Sequence, residues 1–209
     1  VVDTQITIEE PNVIGRDVTV VSAGDVGAPI DPIIKPAGST LTAADRIALF
    51  TAERADIVIE PDRVIIGRND DLDIAATGAV EVVGARHVYL GAEDDVAVAG
   101  LTGAEDVRLR SSGAITAAPG GAGVTGRDLL LEAAGGAVGA ADAPLPVVVA
   151  PGGAVAARAA EGIFLQAGRG DLPLSDLFTP GTVALSAAGA IADADPVSVV
   201  EIVASDIRL

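Results

Sequence analysis

Apolar residues in this chain come in short runs whose first and third members are large and whose middle member varies. Val18-Thr19-Val20, Val64-Ile65-Ile66, Val88-Tyr89-Leu90 and Val183-Ala184-Leu185 are examples. In an extended strand the first and third side chains share one face, so each run predicts a short strand with one face buried. Gly, Ala, Asp and Pro separate the runs, which predicts tight corners between strands. Helical periodicity is nearly absent. Ala43 to Ala55 alone admits a helix, and its place in the repeat reads it as strand.

The runs recur. Their first apolar residues are Val18, Ile47, Val64, Val88, Val107, Leu129, Ile163, Val183 and Ile207, a mean spacing of about 24 residues. A second apolar position follows the first by 8 to 10 residues, as in Val18 to Val26, Val88 to Val96 and Leu129 to Val138. A strand-and-corner repeat of this length without helices predicts an all-β solenoid with coils of about 20–24 residues. Two strands joined by a corner would form the constant half of each coil. A third strand would sit in the variable half, with 79–83 and 197–203 as instances. Nine coils stacked at about 4.8 Å would make a rod roughly 40 Å long. The longer intervals after Val18 and after Leu129 predict loops bulging from one face. Residues 1–209 are expected to form one solenoid domain, a segment of a longer repeat array.

Composition sharpens this picture. The chain has 209 residues, 13 basic and 30 acidic, for a formal net charge of −17. Half the residues are hydrophobic but only 2% are aromatic: Phe50, Phe164, Phe178 and Tyr89. A thin core of Val, Ile, Leu and Ala is therefore expected. Without cysteine there is no disulfide framework and no thiolate zinc site. The acidic balance argues against nucleic-acid partners, because phosphate would be repelled. No run approaches the ~18 apolar residues of a membrane span, so membrane insertion is not expected. The first residue is Val and no leader-like stretch is visible, which suggests a mature product or an excised fragment.

Two segments align with each other. Ala23-Gly24-Asp25-Val26-Gly27-Ala28-Pro29 matches Gly135-Gly136-Ala137-Val138-Gly139-Ala140-Ala141. Each is followed by Asp, Pro and an apolar stretch. Together with the Ala/Gly/Val/Asp rhythm, these segments resemble repeats of large secreted bacterial adhesins of the filamentous-haemagglutinin-like type. The resemblance covers most of the chain and is one of rhythm and composition. It implies a right-handed parallel β-helix, export to the extracellular space or bacterial cell surface, and an adhesive or scaffolding role without catalysis. The partners it implies are a host-cell or neighbouring-cell surface, or identical subunits stacked end to end into a filament or surface layer.

Two groups of residues stand out as candidate sites. Arg169-Gly170-Asp171 places a cation and a carboxylate on either side of a flexible glycine, a tripeptide displayed by many cell-attachment proteins. Its structural reading is a corner equivalent to Gly24-Asp25-Val26. Asp71 and Asp95 lie one period apart, so stacking on neighbouring coils would let them share a Ca²⁺ ion. Without a cation the same stacking repels, and solvated acidic turns are the competing reading. His87, the sole histidine, precedes a strand and is expected at a corner. No residue set is assigned to catalysis. A β-helical polysaccharide-active enzyme is the alternative, disfavoured by the scarcity of aromatic and basic residues.

Overall fold

A computed structural model describes residues 11, 13–27, 33–36, 55–59, 63–68, 71–194 and 202–209; for 33–36, 55–59 and 63–68 only the backbone is considered. The described residues form strands and no helix. Most of the strands stack into a parallel β-solenoid of about six turns.

Two parallel sheets make the coil walls. Sheet A runs β1 (Val13–Gly15), β6 (Leu72–Ala76), β8 (Val88–Ala92), β10 (Val107–Ser111), β13 (Leu129–Ala133), β15 (Val155–Ala159), β17 (Leu172–Phe178) and β19 (Ile191–Asp193), with β20 (Ile202–Val203) also on β17. Sheet B runs β2 (Val18–Val21), β7 (Ala79–Ala85), β9 (Val96–Gly103), β12 (Gly123–Gly126), β14 (Leu145–Val149), β16 (Gly162–Ala167), β18 (Thr182–Ala187) and β21 (Asp206–Arg208), with β11 (Ile115–Ala117) also on β9. Outside residues 33–68 the described strands alternate between the two sheets, except that β11 and β12 both lie in sheet B and β19 and β20 both lie in sheet A.

In-register stacking turns the apolar-x-apolar pattern into continuous columns. In sheet B, Val96, Ile115, Val138, Ile163, Val183 and Ile207 lie one above the next. In sheet A the column is Leu72, Leu90, Leu109, Leu131, Ala157 and Leu177. Inward residues of both sheets form one buried cluster, which contains none of the described aromatic residues. Strands about 4.8 Å apart leave room for stacked branched aliphatic side chains and little else. Tyr89, Phe164 and Phe178 sit instead at outward positions, and Phe178 is 49% exposed.

Four corners share one device. A corner aspartate accepts the backbone N–H of the next coil's corner: Asp17 from Ala79 at 3.0 Å, Asp95 from Ala114 at 2.7 Å, Asp128 from Ala154 at 3.2 Å and Asp171 from Ala190 at 2.8 Å. The carboxylate satisfies an amide that the ladder leaves free where the chain turns.

The structure corrects the sequence reading in four respects. Val64-Ile65-Ile66 is not in a coil: β5 (Arg63–Arg68) pairs antiparallel with β3 (Ile33–Pro36) and β4 (Ala55–Ile59) in a separate three-stranded sheet. Ile47 and residues 43–54 lie outside the described residues, and the described residues form about six turns where nine coils were expected. The series of runs changes wall: Val88, Val107 and Leu129 stack one coil apart in sheet A, whereas Ile163, Val183 and Ile207 stack one coil apart in sheet B. Of the two expected third strands, 79–83 lies in β7 of sheet B and 202–203 forms β20 on sheet A, while 197–201 lie outside the described residues. Coil length varies, because Val88 pairs with Val107, Val107 with Leu129, Leu129 with Val155 and Val155 with Leu174, spacings of 19, 22, 26 and 19 residues.

The two longer intervals share a cause. At Val26-Gly27 and again at Val138-Gly139 the valine makes an isolated bridge to the stack, and the glycine turns the chain out with φ of +70° and +72°. The chain rejoins the same strand level at Leu72 and at Leu145. The first exit opens from sheet A and the second from sheet B, so the excursions do not leave from one face.

Candidate functional site

The outer face of sheet A carries a line of charge. Asp73, Gly91, Arg110, Glu132, Arg158 and Phe178 occupy one outward column. Arg110 Nε lies 2.9 Å from Glu132 Oε2, and its Nη1 lies 3.8 Å from Asp71 Oδ2. Arg108, one residue pair away on β10, also binds the Asp71 carboxylate. Gly91 is the gap that makes this possible: a side chain there would collide with the Asp73 carboxylate lying across β8. Although the column faces outward, Asp73, Arg110 and Glu132 are only 0%, 3% and 7% exposed. Buried charges are tolerated when paired, and these alternate in sign along the stack.

A second ladder follows the corners that lead from sheet B into sheet A. Arg86 holds Asp25 through both Nε and Nη2, at 3.1 and 3.0 Å. The hydrogen bond from that guanidinium keeps the Asp25 carboxyl below its ordinary range. His87 Nδ1 lies 3.3 Å from Asp106 Oδ2 and 3.3 Å from the Tyr89 hydroxyl, and its ring stacks on Tyr89. Arg127 is gripped by Asp128 at 2.8 Å, Asp106 at 3.0 Å and Glu105, and Asp128 does most to raise its pKa. The next corner, Pro151-Gly152-Gly153-Ala154, carries no charge, and the one after it is Arg169-Gly170-Asp171.

Two open grooves lie along this edge. One, of about 420 Å³, is floored by Leu130 and Ala156 and bordered by Tyr89, Asp106, Arg108 and Asp128. The other, of about 680 Å³, spans the uncharged corner from Asp128 to Asp171. Asp128 and Ala154 line both.

The predicted site residues fare differently. Arg169, Gly170 and Asp171 are exposed at a corner between β16 and β17, and Gly170 has a φ of +73°. Asp171 sits at the expected corner, accepts from the Ala190 N–H and lines the second groove. Asp71 and Asp95 are not brought together. Asp71 is buried against Arg108 and Arg110 on sheet A, whereas Asp95 is exposed at the corner before β9 and bonds Ala114. Two guanidinium groups against one carboxylate do not fit a Ca²⁺ site, so the shared-ion expectation fails on electrostatic grounds. His87 sits at a corner as expected.

Sequence reasoning missed Arg108, Arg110 and Glu132. Their signal was the middle position of the runs: Val107-Arg108-Leu109-Arg110 puts two arginines on the outward face where the neighbouring copies carry Tyr89 and Gly91.

Tyr89 provides a direct probe of this face. Burial is the first cause that pushes its phenol above the ordinary value of 10.0, and Asp106 adds to it. The native state holds the proton more tightly, so this contribution to stability is complete below pH 10 and is lost as pH rises through the raised native value. Because Tyr89 is the sole tyrosine, absorbance titration reads it alone. The expected midpoint lies above 10 in the folded protein and returns to about 10 in denaturant. Equal midpoints would show that water reaches the ring freely.

Comparison with family models, curated proteins and solved structures finds no match to this chain.

Proposed function

We propose that the chain is a non-catalytic β-solenoid segment of an extracellular or cell-surface protein, with an adhesive or scaffolding role. The observation that carries this reading is the Arg169-Gly170-Asp171 corner. Its three residues are exposed, its glycine stands clear of neighbouring atoms, and its carboxylate is oriented by the next coil through Ala190. A rigid stack that holds a short polar motif at a fixed corner suits recognition by surface contact. Parallel coils suit a scaffold, because each added coil extends the rod without changing the ones before it.

The test is attachment of cells to the immobilised chain. Asp171→Glu moves the carboxylate by one methylene and is expected to abolish attachment. Because it also disturbs the Ala190 bond, Asp95→Glu serves as the control: it disturbs the equivalent bond to Ala114 and leaves the tripeptide untouched. Loss in Asp171→Glu with retention in Asp95→Glu supports the reading. Equal attachment of both variants and the parent overturns it.

A further inference from the structure

The outer face of sheet A is covered over one stretch of the stack and bare on either side of it. Outward residues Asp73 on β6, Tyr89 on β8 and Arg110 on β10 are buried, and so is Glu132 on β13. Beyond them Arg158 on β15 is half-buried and Phe178 on β17 is exposed, while Ile14 on β1 is exposed at the other end. The outer face of sheet B has no such stretch: Val21, Glu81, Thr102 and Gln166 are all exposed. Pairing of charges does not by itself hide them, because Arg158 and Asp176 are paired at 3.2 Å and remain accessible. The two walls turn their inner sides to one another, so neither roofs its own outer side.

The long excursion is tethered at this stretch and carries a sheet of suitable size and charge. Both of its ends are pinned to β8, where Val26 bridges Val88 and Leu72 pairs with Leu90. The covered strands β6 to β13 span three steps of the sheet, roughly 14 Å at about 4.8 Å per step, which a three-stranded sheet can roof. In the β3–β5 sheet, Ile33, Ile57 and Ile66 form one row and Ile34, Val58 and Ile65 the next. Successive rows belong to opposite faces, so both faces of this small sheet are apolar in sequence. Such a sheet needs a surface to lie on. Its strands hold Lys35, Arg63 and Arg68 against Asp56, a formal +2 within a chain of −17. The covered stretch holds Asp71, Asp73 and Glu132 against Arg108 and Arg110, a formal −1.

We infer that the β3–β5 sheet packs over the outer face of sheet A across β6, β8 and β10, with the buried ionic column as its seat. The excursion is then folded down onto the solenoid and is not a projecting arm. This stretch of sheet A is closed to outside partners, and the accessible surfaces are the corners and the outer face of sheet B. The inference is independent of the adhesive reading.

The chain has no cysteine, so Ala55→Cys on β4 can carry a single nitroxide in the full-length protein. Paramagnetic broadening of backbone amides falls steeply with distance, which separates two walls packed about 10 Å apart. Amides of residues 89–91 and 108–110 on sheet A are expected to lose most of their intensity. Those of Glu81 and Thr102, on sheet B at the same level of the stack, are expected to keep most of theirs. Sheet A amides that keep their intensity overturn the inference, as does equal or stronger broadening on sheet B. A second protein tests the seat. Lys35→Glu, Arg63→Glu and Arg68→Glu together reverse the charge of the small sheet and leave every solenoid residue in place. The contrast between the walls is expected to shrink severalfold. Acrylamide quenching of Tyr89 is expected to rise severalfold, and the emission reads that residue alone because the chain has no other tyrosine and no tryptophan. Unchanged sheet B amide shifts show that the solenoid itself has held. Contrast and quenching that both match the parent overturn the ionic column as the seat.

Discussion

Arg110→Ala is expected to cost about 3–5 kcal/mol of stability, the usual result of breaking a buried ion pair by removing one partner. The Arg110 side chain is 4% exposed and lies against Glu132 at 2.9 Å and Asp71 at 3.8 Å. Its removal leaves two buried carboxylates facing a smaller positive charge, with little water to take its place. Replacing Arg110 and Glu132 together by Leu is expected to recover the part of the loss that comes from stranding Glu132, since that carboxylate then leaves with its partner. Arg158→Ala sets the scale on the same sheet. Its pair with Asp176, at 3.2 Å, is much more exposed, and its loss is expected to cost no more than about 1 kcal/mol. Urea midpoints of the four proteins decide the matter. If Arg110→Ala matches Arg158→Ala, the outward face of sheet A is wet and the ionic column has no stabilising role.

Gly139→Ala is the second large effect, expected at about 2–4 kcal/mol. Two costs combine there. The backbone has a φ of +72°, which a side chain disfavours, and a Cβ would collide with the Phe164 carbonyl and the Leu145 amide. Both contacts belong to the stack that Val138 joins and Leu145 resumes. Gly152→Ala separates the costs. Its φ is +81°, yet nothing lies near the position of its Cβ, so it is expected to lose only the conformational part, about 1–2 kcal/mol. Equal losses would show that the close approach at Gly139 relaxes freely and that the exit point is not a rigid feature of the coil.

The exit point was legible before any coordinates. Val26-Gly27 and Val138-Gly139 aligned in sequence, and both turn out to be places where a strand leaves the stack and later rejoins at the same level. The match survives because both residues answer to local demands, a valine filling an inward site and a glycine that must turn with positive φ beside a neighbouring carbonyl. The Asp71–Asp95 pairing failed because a period counted along the chain does not say which strand each carboxylate flanks: Asp71 precedes β6 of sheet A and Asp95 precedes β9 of sheet B. Arg169-Gly170-Asp171 was legible as a corner, because an aspartate directly before an apolar residue recurs at all four corners whose carboxylate bonds the next coil: Asp17-Val18, Asp95-Val96, Asp128-Leu129 and Asp171-Leu172.

The amino-acid sequence determined the strand-and-corner class and the aliphatic make-up of the core. Each depends on residues a few positions apart, where alternation and turn chemistry act directly. Which sheet each run joins was decided only in three dimensions. The two walls of a two-sheet coil face the same core and demand the same apolar-x-apolar pattern, so the sequence cannot tell them apart. The number of coils, the antiparallel placement of Val64-Ile65-Ile66 and the burial of Arg110, Glu132 and Asp73 were decided there as well. A charged outward residue is written identically whether water or protein lies above it, and only the folded chain makes that choice.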